Sequence, residues 1–346
     1  MSAAERVIVA VDAMGGDHAP EVVLQGVAEA LAVDSELVVL LTGPHDVVTP
    51  FVASHQRIEA VVTTQVIEMG EHPANAVRSK NDSSIVVGCR LVKDGRAAAF
   101  FSAGSTGACM AAATLIMGRL SGVSRPAIAT VIPASDRPCV LLDIGANADV
   151  KPENLVQFAL MGRAYAQVLL ERTEPSIGLL NIGEEPTKGS MLAQEAHSLM
   201  AANVPGFTGN VEGRDIPLGT VDVVVTDGFT GNVALKLLEG LSKTLLGQVK
   251  AAMTESALNT IAAAVLQPSL KRLKDRLDPD MYGGAPLLGV KGVCIIGHGS
   301  SSARAIRSGV LVSARVARAG LPAMIERSVA ELQAEQGTLS PGVANV

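Results

Sequence analysis

Residues 97–118, AAAFFSAGSTGACMAAATLIMG, carry no charged side chain. About 20 apolar residues suffice to cross a bilayer, so the reading of this stretch decides between a membrane span and a buried α/β unit. The polar, glycine-bearing run Ser102-Ala-Gly-Ser-Thr-Gly107 interrupts it. An irregular loop exposed to hydrocarbon would leave its backbone groups without hydrogen-bond partners. The stretch therefore reads as a buried strand over Ala97–Phe101, a loop, and a buried helix over Gly107–Met117.

The same unit recurs on either side. Short apolar runs stand at Val7–Val11, Leu37–Leu41, Ile128–Ile132, Val140–Leu142, Ile177–Leu180, Val221–Val225 and Val293–Ile296. They are apolar instead of alternating, as strands covered on both faces are. Helical patterns lie between them at Glu21–Leu31, Ser83–Lys93, Glu153–Glu171, Ser190–Met200 and Ser302–Ala319. Pro20 and Pro152 sit where a first helical turn tolerates proline, and Gly95 and Gly118 sit where helices end. The expected class is α/β, a three-layer α/β/α sandwich with a largely parallel sheet. Residues 1–335 read as a single α/β/α unit, or two intertwined subdomains. Within it Lys236–Asp280 has no strand-like run and reads as an inserted helical hairpin of two or three helices; residues 336–346 read as a flexible tail.

With 346 residues, 2% aromatic and no Trp, the core must be built from Ala, Val, Ile and Leu. A net charge of −6 argues against nucleic acid as a partner. Cys89, Cys109, Cys139 and Cys294 lie far apart without CxxC spacing, which excludes a zinc site or disulfide framework and fits a reducing cytosol. The apolar run near Met1 is shorter than the roughly 7–15 residues of a signal segment. A cytoplasmic protein is expected.

Six of the expected strands end in polar, glycine-bearing loops: Asp12–Asp17, Ser102–Gly107, Asp143–Asn147, Asn181–Gly189, Asp227–Asn232 and Gly297–Ser302. In an open parallel sheet the carboxyl ends share one edge, where ligands bind, so these loops are expected to converge. Glycine allows close approach of the backbone, and a helix opening after such a loop offers free N–H groups to an anion. The expected phosphate- and substrate-binding residues are Asp12, Gly15, Gly16 and Asp17, then Ser102, Gly104, Ser105, Thr106 and Gly107. Asp143, Asn147, Asn181, Asp227, Gly228 and Asn232 join them, with Gly297, Gly299 and Ser300. The aspartates suit helix caps and loop braces better than a cation site, and no metal is expected. Lys188 and His298 are the catalytic candidates: a cation for phosphate or a developing oxyanion, and a donor or acid for the leaving thiolate. An exposed first-turn lysine and a solvated histidine are the plainer alternatives.

Two cofactor motifs come close and fail. Gly183–Ser190 approaches a phosphate-binding loop, but lysine precedes glycine. Gly297–Ser302 approaches a dinucleotide loop, but its third glycine is Ser302. Lys271, Arg272, Lys274 and Arg276, or Arg304, Arg307, Arg315 and Arg318 on one helix face, could receive an acidic protein or anionic lipid, or form solvated faces.

The segments VDAMGGDHAP, SAGSTGA, SRPAIAT, LLDIGANAD, LLNIGEEPTKGS, GNVEGRDI, TDGFTGNVALK, MYGGAPLLGV and GHGSSSARA stand in the order found in the phosphate acyltransferase family, which the chain resembles from about Val7 to Arg318. Ser105 stands where that family's motif has Asn. The resemblance implies a fold similar to phosphotransacetylases and the isocitrate/isopropylmalate dehydrogenase group. It implies transfer of a fatty acyl group from acyl carrier protein to inorganic phosphate, giving acyl phosphate for phospholipid synthesis. It further implies a homodimer, no organic cofactor, peripheral contact with an anionic membrane, and a downstream glycerol-3-phosphate acyltransferase. The uncharged run Ser256–Leu270 is expected to form an apolar helical tip touching that membrane. A nicotinamide-dependent dehydrogenase would need dinucleotide contacts the broken motif does not offer, and a non-catalytic scaffold would not need polar loops on a sheet edge.

Overall fold

The computed structural model describes residues 5–135, 137–276 and 279–338, without the side chains of residues 273–280 and 335–338. Eleven strands form one sheet: β1 Val7–Asp12, β2 Leu37–Gly43, β3 Ile58–Val62, β4 Ala99–Ser102, β5 Ala127–Ile132, β6 Cys139–Leu142, β7 Ile177–Leu180, β8 Phe207–Val211, β9 Val223–Val225, β10 Ala285–Leu288 and β11 Val293–Ile296. The helices are α1 Glu21–Val33, α2 His45–Ala53, α3 Pro73–Ser79, α4 Ser84–Lys93, α5 Thr106–Ala112, α6 Pro152–Leu169, α7 Met191–Asn203, α8 Asp215–Leu218, α9 Gly228–Met253, α10 Ala257–Arg276, α11 Ala303–Arg318 and α12 Leu321–Thr338.

The uncharged stretch folds as β4, the 103–105 loop, α5 and a π-helical turn over Ala113–Met117. Among the described residues no helix is long and apolar enough to cross a membrane. Successive residues of a strand point to opposite faces, so Phe101 joins the core under α1, α6, α7, α11 and α12, while Phe100 joins the core under α3, α4 and α5. Both rings press on a helix where it has glycine. A Cβ on Gly309 of α11 would lie 2.1 Å from the Phe101 ring, and one on Gly88 of α4 would lie 2.3 Å from the Phe100 ring. These contacts explain glycine in two helix interiors, where it otherwise destabilises by about 1 kcal/mol.

The strand order is β3-β2-β1-β4-β11-β10-β5-β6-β9-β7-β8. The sheet is mostly parallel, but β10 is antiparallel to β11 and to β5, and β5 is antiparallel to β6. Three reversals leave β6, β9, β7 and β8 running against β1, β2, β3, β4 and β11. The register makes this concrete: Ala285 at the start of β10 pairs with Ile296 at the end of β11, Leu288 pairs with Ala127 at the start of β5, and Ala129 pairs with Leu142 at the end of β6. The carboxyl ends of β1, β4 and β11 therefore lie at one edge, and those of β6, β9 and β7 at the other. This overturns the expectation that all six loops share an edge. That expectation rested on a uniformly parallel sheet, and β10, the short APLL strand that turns the sheet, had not been expected as a strand.

The edge strand β3 has mixed burial, and β8 contains Gly209 and Asn210, so neither shows the continuous apolar run of a central strand. Helices α9 and α10 lie between β9 and β10 in the chain. The start of α9 packs on the sheet through Ala234, Leu235 and Leu238. Beyond it Leu237, Leu241, Leu245 and Val249 on α9 and Leu258, Ile261 and Val265 on α10 are exposed. Helix α12 runs to Thr338, so the expected tail begins within a helix; residues 339–346 lie outside the described residues.

Candidate active site

The first edge gathers three of the six loops. The carboxylate of Asp12 is buried at the end of β1. Its Oδ1 accepts Met14 N at 3.0 Å and its Oδ2 accepts Ser102 Oγ at 2.7 Å. Ser102 Oγ accepts Gly104 N at 3.0 Å, and Ser102 O accepts Gly297 N at 2.8 Å. Asp17 N donates to Gly299 O at 2.7 Å. Gly15 lies so close that a Cβ there would meet Gly104 N at 2.7 Å; Gly16 faces Gly299 O at 3.1 Å in the same sense, with φ of +116°. The loops after β1, β4 and β11 are thus one hydrogen-bonded body, as the sequence led us to expect.

What this body presents outward is narrower than the expected set. Asp12, Ser102, Gly104 and Ser105 are buried, whereas Asp17, Thr106, His298 and Ser300 are exposed. Ser105 caps α5 by accepting Ala108 N. The amides of Thr106 and Gly107 open the first turn, where no carbonyl four residues back exists to receive them. In the β11 loop most amides are already engaged: Gly297 N by Ser102 O, His298 N by Ser301 Oγ at 3.1 Å, and Ser300 N by His298 Nδ1 at 3.3 Å. The β4 loop supplies free donors at the start of α5. Since Ser300 N can only donate, His298 Nδ1 accepts, and the proton of the neutral ring sits on Nε2, the nitrogen turned away from the loop. Ser300 Oγ lies 2.8 Å from the same Nδ1.

Burial governs the titration of this body. It raises the Asp12 carboxyl above its ordinary value, against hydrogen bonds from Ser84, Ser102 and Met14 that lower it. It pushes the Cys109 thiol, beneath Ser102, up to about 12. A thiol so placed is not a thiolate near neutral pH and is a poor nucleophile.

The second edge gathers the other three loops. Asp143 organises the turn after β6: Oδ1 accepts from Ile128 N, Gly145 N and Ala146 N at 3.0–3.2 Å, and Oδ2 accepts from Asn147 N and Nδ2, both at 2.8 Å. Burial raises this carboxyl too, with those hydrogen bonds opposing. Asn147 is buried and also donates to Pro126 O at 2.8 Å. Asp227 caps α9 through Thr230 N at 2.8 Å, and Gly228 N donates to Asn147 O at 2.7 Å. Asn181 braces its own loop, donating to Lys188 O at 3.1 Å and accepting Ile182 N at 2.8 Å. Asn232 is exposed. The aspartates and two of the asparagines are therefore braces, and among the described residues no group of three metal-ligating side chains forms.

Lys188 stands apart from His298. It is exposed in an open groove of about 530 Å3 with Glu184, Glu185, Glu212 and Arg214. Arg214 pairs with Glu212 and Glu184, whereas Lys188 has no ion pair among the described residues. Between β11 and β7 lie five strand spacings, roughly 24 Å at about 4.8 Å each, and the two loops are also at opposite edges. A lysine side chain cannot bridge that distance, so within one chain the two catalytic candidates do not meet.

The arginines of α11 are spoken for. Arg315 donates to Glu171 at 2.7 Å and Arg318 to Asp34 at 2.6 Å, while Arg307 lies 3.8 Å from Glu29 and Arg304 rests on Met281. The row ties α11 to α1 and α6 and is not a free basic face. Lys271 and Arg272 are exposed; the side chains of Lys274 and Arg276 lie outside the described residues. Helix α3 and the segment before it contribute two contacts that sequence reasoning missed. A Cβ on Gly107 would meet Pro73 Cγ at 2.6 Å, and one on Gly299 would meet Met69 Cε at 2.5 Å. The available signal was Pro73 itself, a helix-opening proline beside a loop cluster.

The sequence family described as "Fatty acid synthesis protein" matches residues 7–324. The "Phosphate acyltransferase" of Heliobacterium modesticaldum is 48% identical over 318 residues, covering 90% of this chain and 93% of that one. That of Desulfitobacterium hafniense strain Y51 is 46% identical over 332 residues, covering 95% and 99%. Among solved structures, a phosphotransacetylase from Streptococcus pyogenes superposes with a TM-score of 0.60 at 17% identity over 90% of this chain and 94% of that one. The EutD phosphotransacetylase from Staphylococcus aureus gives 0.57 at 16% identity with the same coverage. Those two likenesses speak to the fold. Given the sequence matches over nearly its whole length, the chain belongs to the phosphate acyltransferase family of fatty acid synthesis proteins and is an enzyme of the acyltransferase class.

Proposed function

We propose that this enzyme transfers a fatty acyl group from an acyl carrier protein thioester to inorganic phosphate, giving acyl phosphate and the free carrier thiol. The observation that carries the reading is the three-loop body at the β1/β4/β11 edge, rigid within and offering unpaired Thr106 and Gly107 amides, the Thr106 and Ser300 hydroxyls and His298 Nε2 at its surface. Such a surface suits a small tetrahedral anion. A bound phosphate oxygen attacks the thioester carbonyl carbon, and an oxyanion develops on the carbonyl oxygen. The C–S bond then breaks, the acyl–oxygen bond remains, and the departing thiolate takes up, through solvent, the proton that the phosphate gives up on becoming acyl phosphate, while His298 Nε2–H donates a hydrogen bond to the phosphate. Phosphate is already an anionic nucleophile at neutral pH, so positioning and desolvation suffice. The buried, protonated Cys109 supports direct attack over an acyl-enzyme.

The proposed unit is a homodimer acting from the cytoplasm at an anionic membrane, with α9 and α10 as an inserted hairpin, and the fold as a relative of the isocitrate/isopropylmalate dehydrogenase group. Exposed apolar residues along α9 and at Leu258, Ile261 and Val265 of α10 support that reading. Acyl phosphate would pass to a glycerol-3-phosphate acyltransferase. Lys188 stays in the proposal as a cation supplied by the second subunit, since one chain cannot bring it to His298. Incubation with acyl carrier thioester and phosphate, without nucleotide or nicotinamide, tests the reading. Thiol release that depends on phosphate supports it, and acyl label trapped on Cys109 in phosphate-free buffer would replace direct attack with a covalent route.

A further inference from the structure

Asp12 and Ser102 look like ligand-binding residues in the sequence, yet their side chains cannot reach a ligand on the loop surface: Asp12 is 2% exposed and Ser102 is 0% exposed. They are instead joined in one directed chain. Gly104 N–H donates to Ser102 Oγ at 3.0 Å, and Ser102 Oγ–H donates to Asp12 Oδ2 at 2.7 Å. The remaining Asp12 oxygen accepts Met14 N at 3.0 Å, and the Ser102 carbonyl accepts Gly297 N at 2.8 Å. Residues 12 and 102 thus hold the β1, β4 and β11 loops together. Gly15 closes the assembly from above, since even a Cβ there would lie 2.9 Å from Asp12 Oδ2 and 2.7 Å from Gly104 N.

The choice of carboxylate over amide is informative. Among the described residues Asp12 has no cationic partner, and a buried negative charge beneath an anion-binding loop is costly in itself. A neutral Asn could still accept Met14 N. It would turn its amide N–H toward Ser102, however, leaving the hydroxyl proton without an acceptor and two donors competing for one oxygen. Only an acceptor at Oδ2 orients the hydroxyl so that its lone pair faces Gly104 N.

We infer that Asp12 and Ser102 are a positioning pair, which fixes the 104–107 turn so that its outward amides are set for phosphate, without touching phosphate themselves. This rests on the phosphate-dependent reaction proposed above and names how its anion site is held in shape. Asp12→Asn and Ser102→Ala should each raise KM for phosphate about tenfold, a typical scale for loss of an orienting hydrogen bond, with kcat within about threefold of wild type. Because both act through one chain, Asp12→Asn/Ser102→Ala should be no worse than the poorer single variant. A merely structural role would lower the melting temperature and the active fraction while leaving KM for phosphate unchanged, and that outcome overturns the inference. Should Asp12→Asn not fold, Ser102→Ala decides alone by the same criterion. Amide exchange of residues 104–108 gives a readout apart from turnover: folded Ser102→Ala should need about tenfold more phosphate than wild type for the same slowing, and equal slowing in both at the same phosphate concentration contradicts the pair. Absence of any phosphate-dependent thiol release by the wild type would instead count against the reaction itself.

Discussion

His298 is held by its own loop, with Nδ1 between Ser300 N and Ser300 Oγ and Nε2 left to the outside. A ring pinned in this way is oriented before substrate arrives, which is what a hydrogen-bond donor to phosphate needs. We expect His298→Ala to lower turnover by about 10²-fold, the usual scale for loss of one donor to the reacting anion. Its melting temperature should stay near wild type, because the side chain is exposed. Wild-type turnover in a steady-state assay would remove His298 from the mechanism. The role of His298 as a candidate was legible from its place between two glycines at a strand end. The division of labour among its neighbours was not. Nothing in the strings GHGSSS or SAGSTG says which amides are spent inside the loop, since that depends on Ser301, Ser102 and Asp12 coming from other places in the fold.

At the scale of elements, the loops behave as braces more than as fingers. The first turn of α9 seats directly on the Asp143 loop, and a Cβ at Gly231 would lie 1.9 Å from Asp143 O. Gly231→Ala must therefore push α9 off the turn that Asp143 and Asn147 organise. We expect a loss of about 3 kcal/mol, at the upper end of overpacking costs, measured as a lowered urea midpoint. Stability within 0.5 kcal/mol of wild type, the ordinary range of a neutral surface change, would show that this junction is loose. Most central strands were readable because Val, Ile and Leu runs need cover on both faces, and β1, β2, β5, β6, β7 and β11 stand close to their expected limits. β3 and β8 escaped notice at the end of the sheet because half-exposed or glycine-bearing strands carry no such run. β10 escaped because it is four residues long and follows Gly284, and with it went the direction of half the sheet.

For the whole molecule, that reversal has a chemical consequence. If Lys188 and His298 serve one reaction, they do so across two subunits. In the proposed homodimer, Lys188→Ala and His298→Ala should each cost about 10²-fold in turnover. Mixed and exchanged, they should recover activity toward one quarter of wild type, since half of the dimers are hybrids with one intact site of two. Activity of the mixture equal to the mean of the two variants would put Lys188 outside the shared site. The apolar end of the α9–α10 pair predicts a second behaviour. Ile261→Asp/Val265→Asp should abolish co-sedimentation with anionic liposomes and leave turnover on soluble substrate unchanged, and unaltered sedimentation would rule out this end as the membrane contact.

Whether phosphate itself is the acyl acceptor is decided by mixing the folded enzyme with radiolabelled phosphate and an acyl carrier protein thioester, with no nucleotide, nicotinamide or added metal. Free carrier thiol and labelled acyl phosphate should form in equal amounts, at a rate that rises with phosphate and saturates. Thiol release that ignores phosphate, or no release above background, would contradict that role for phosphate.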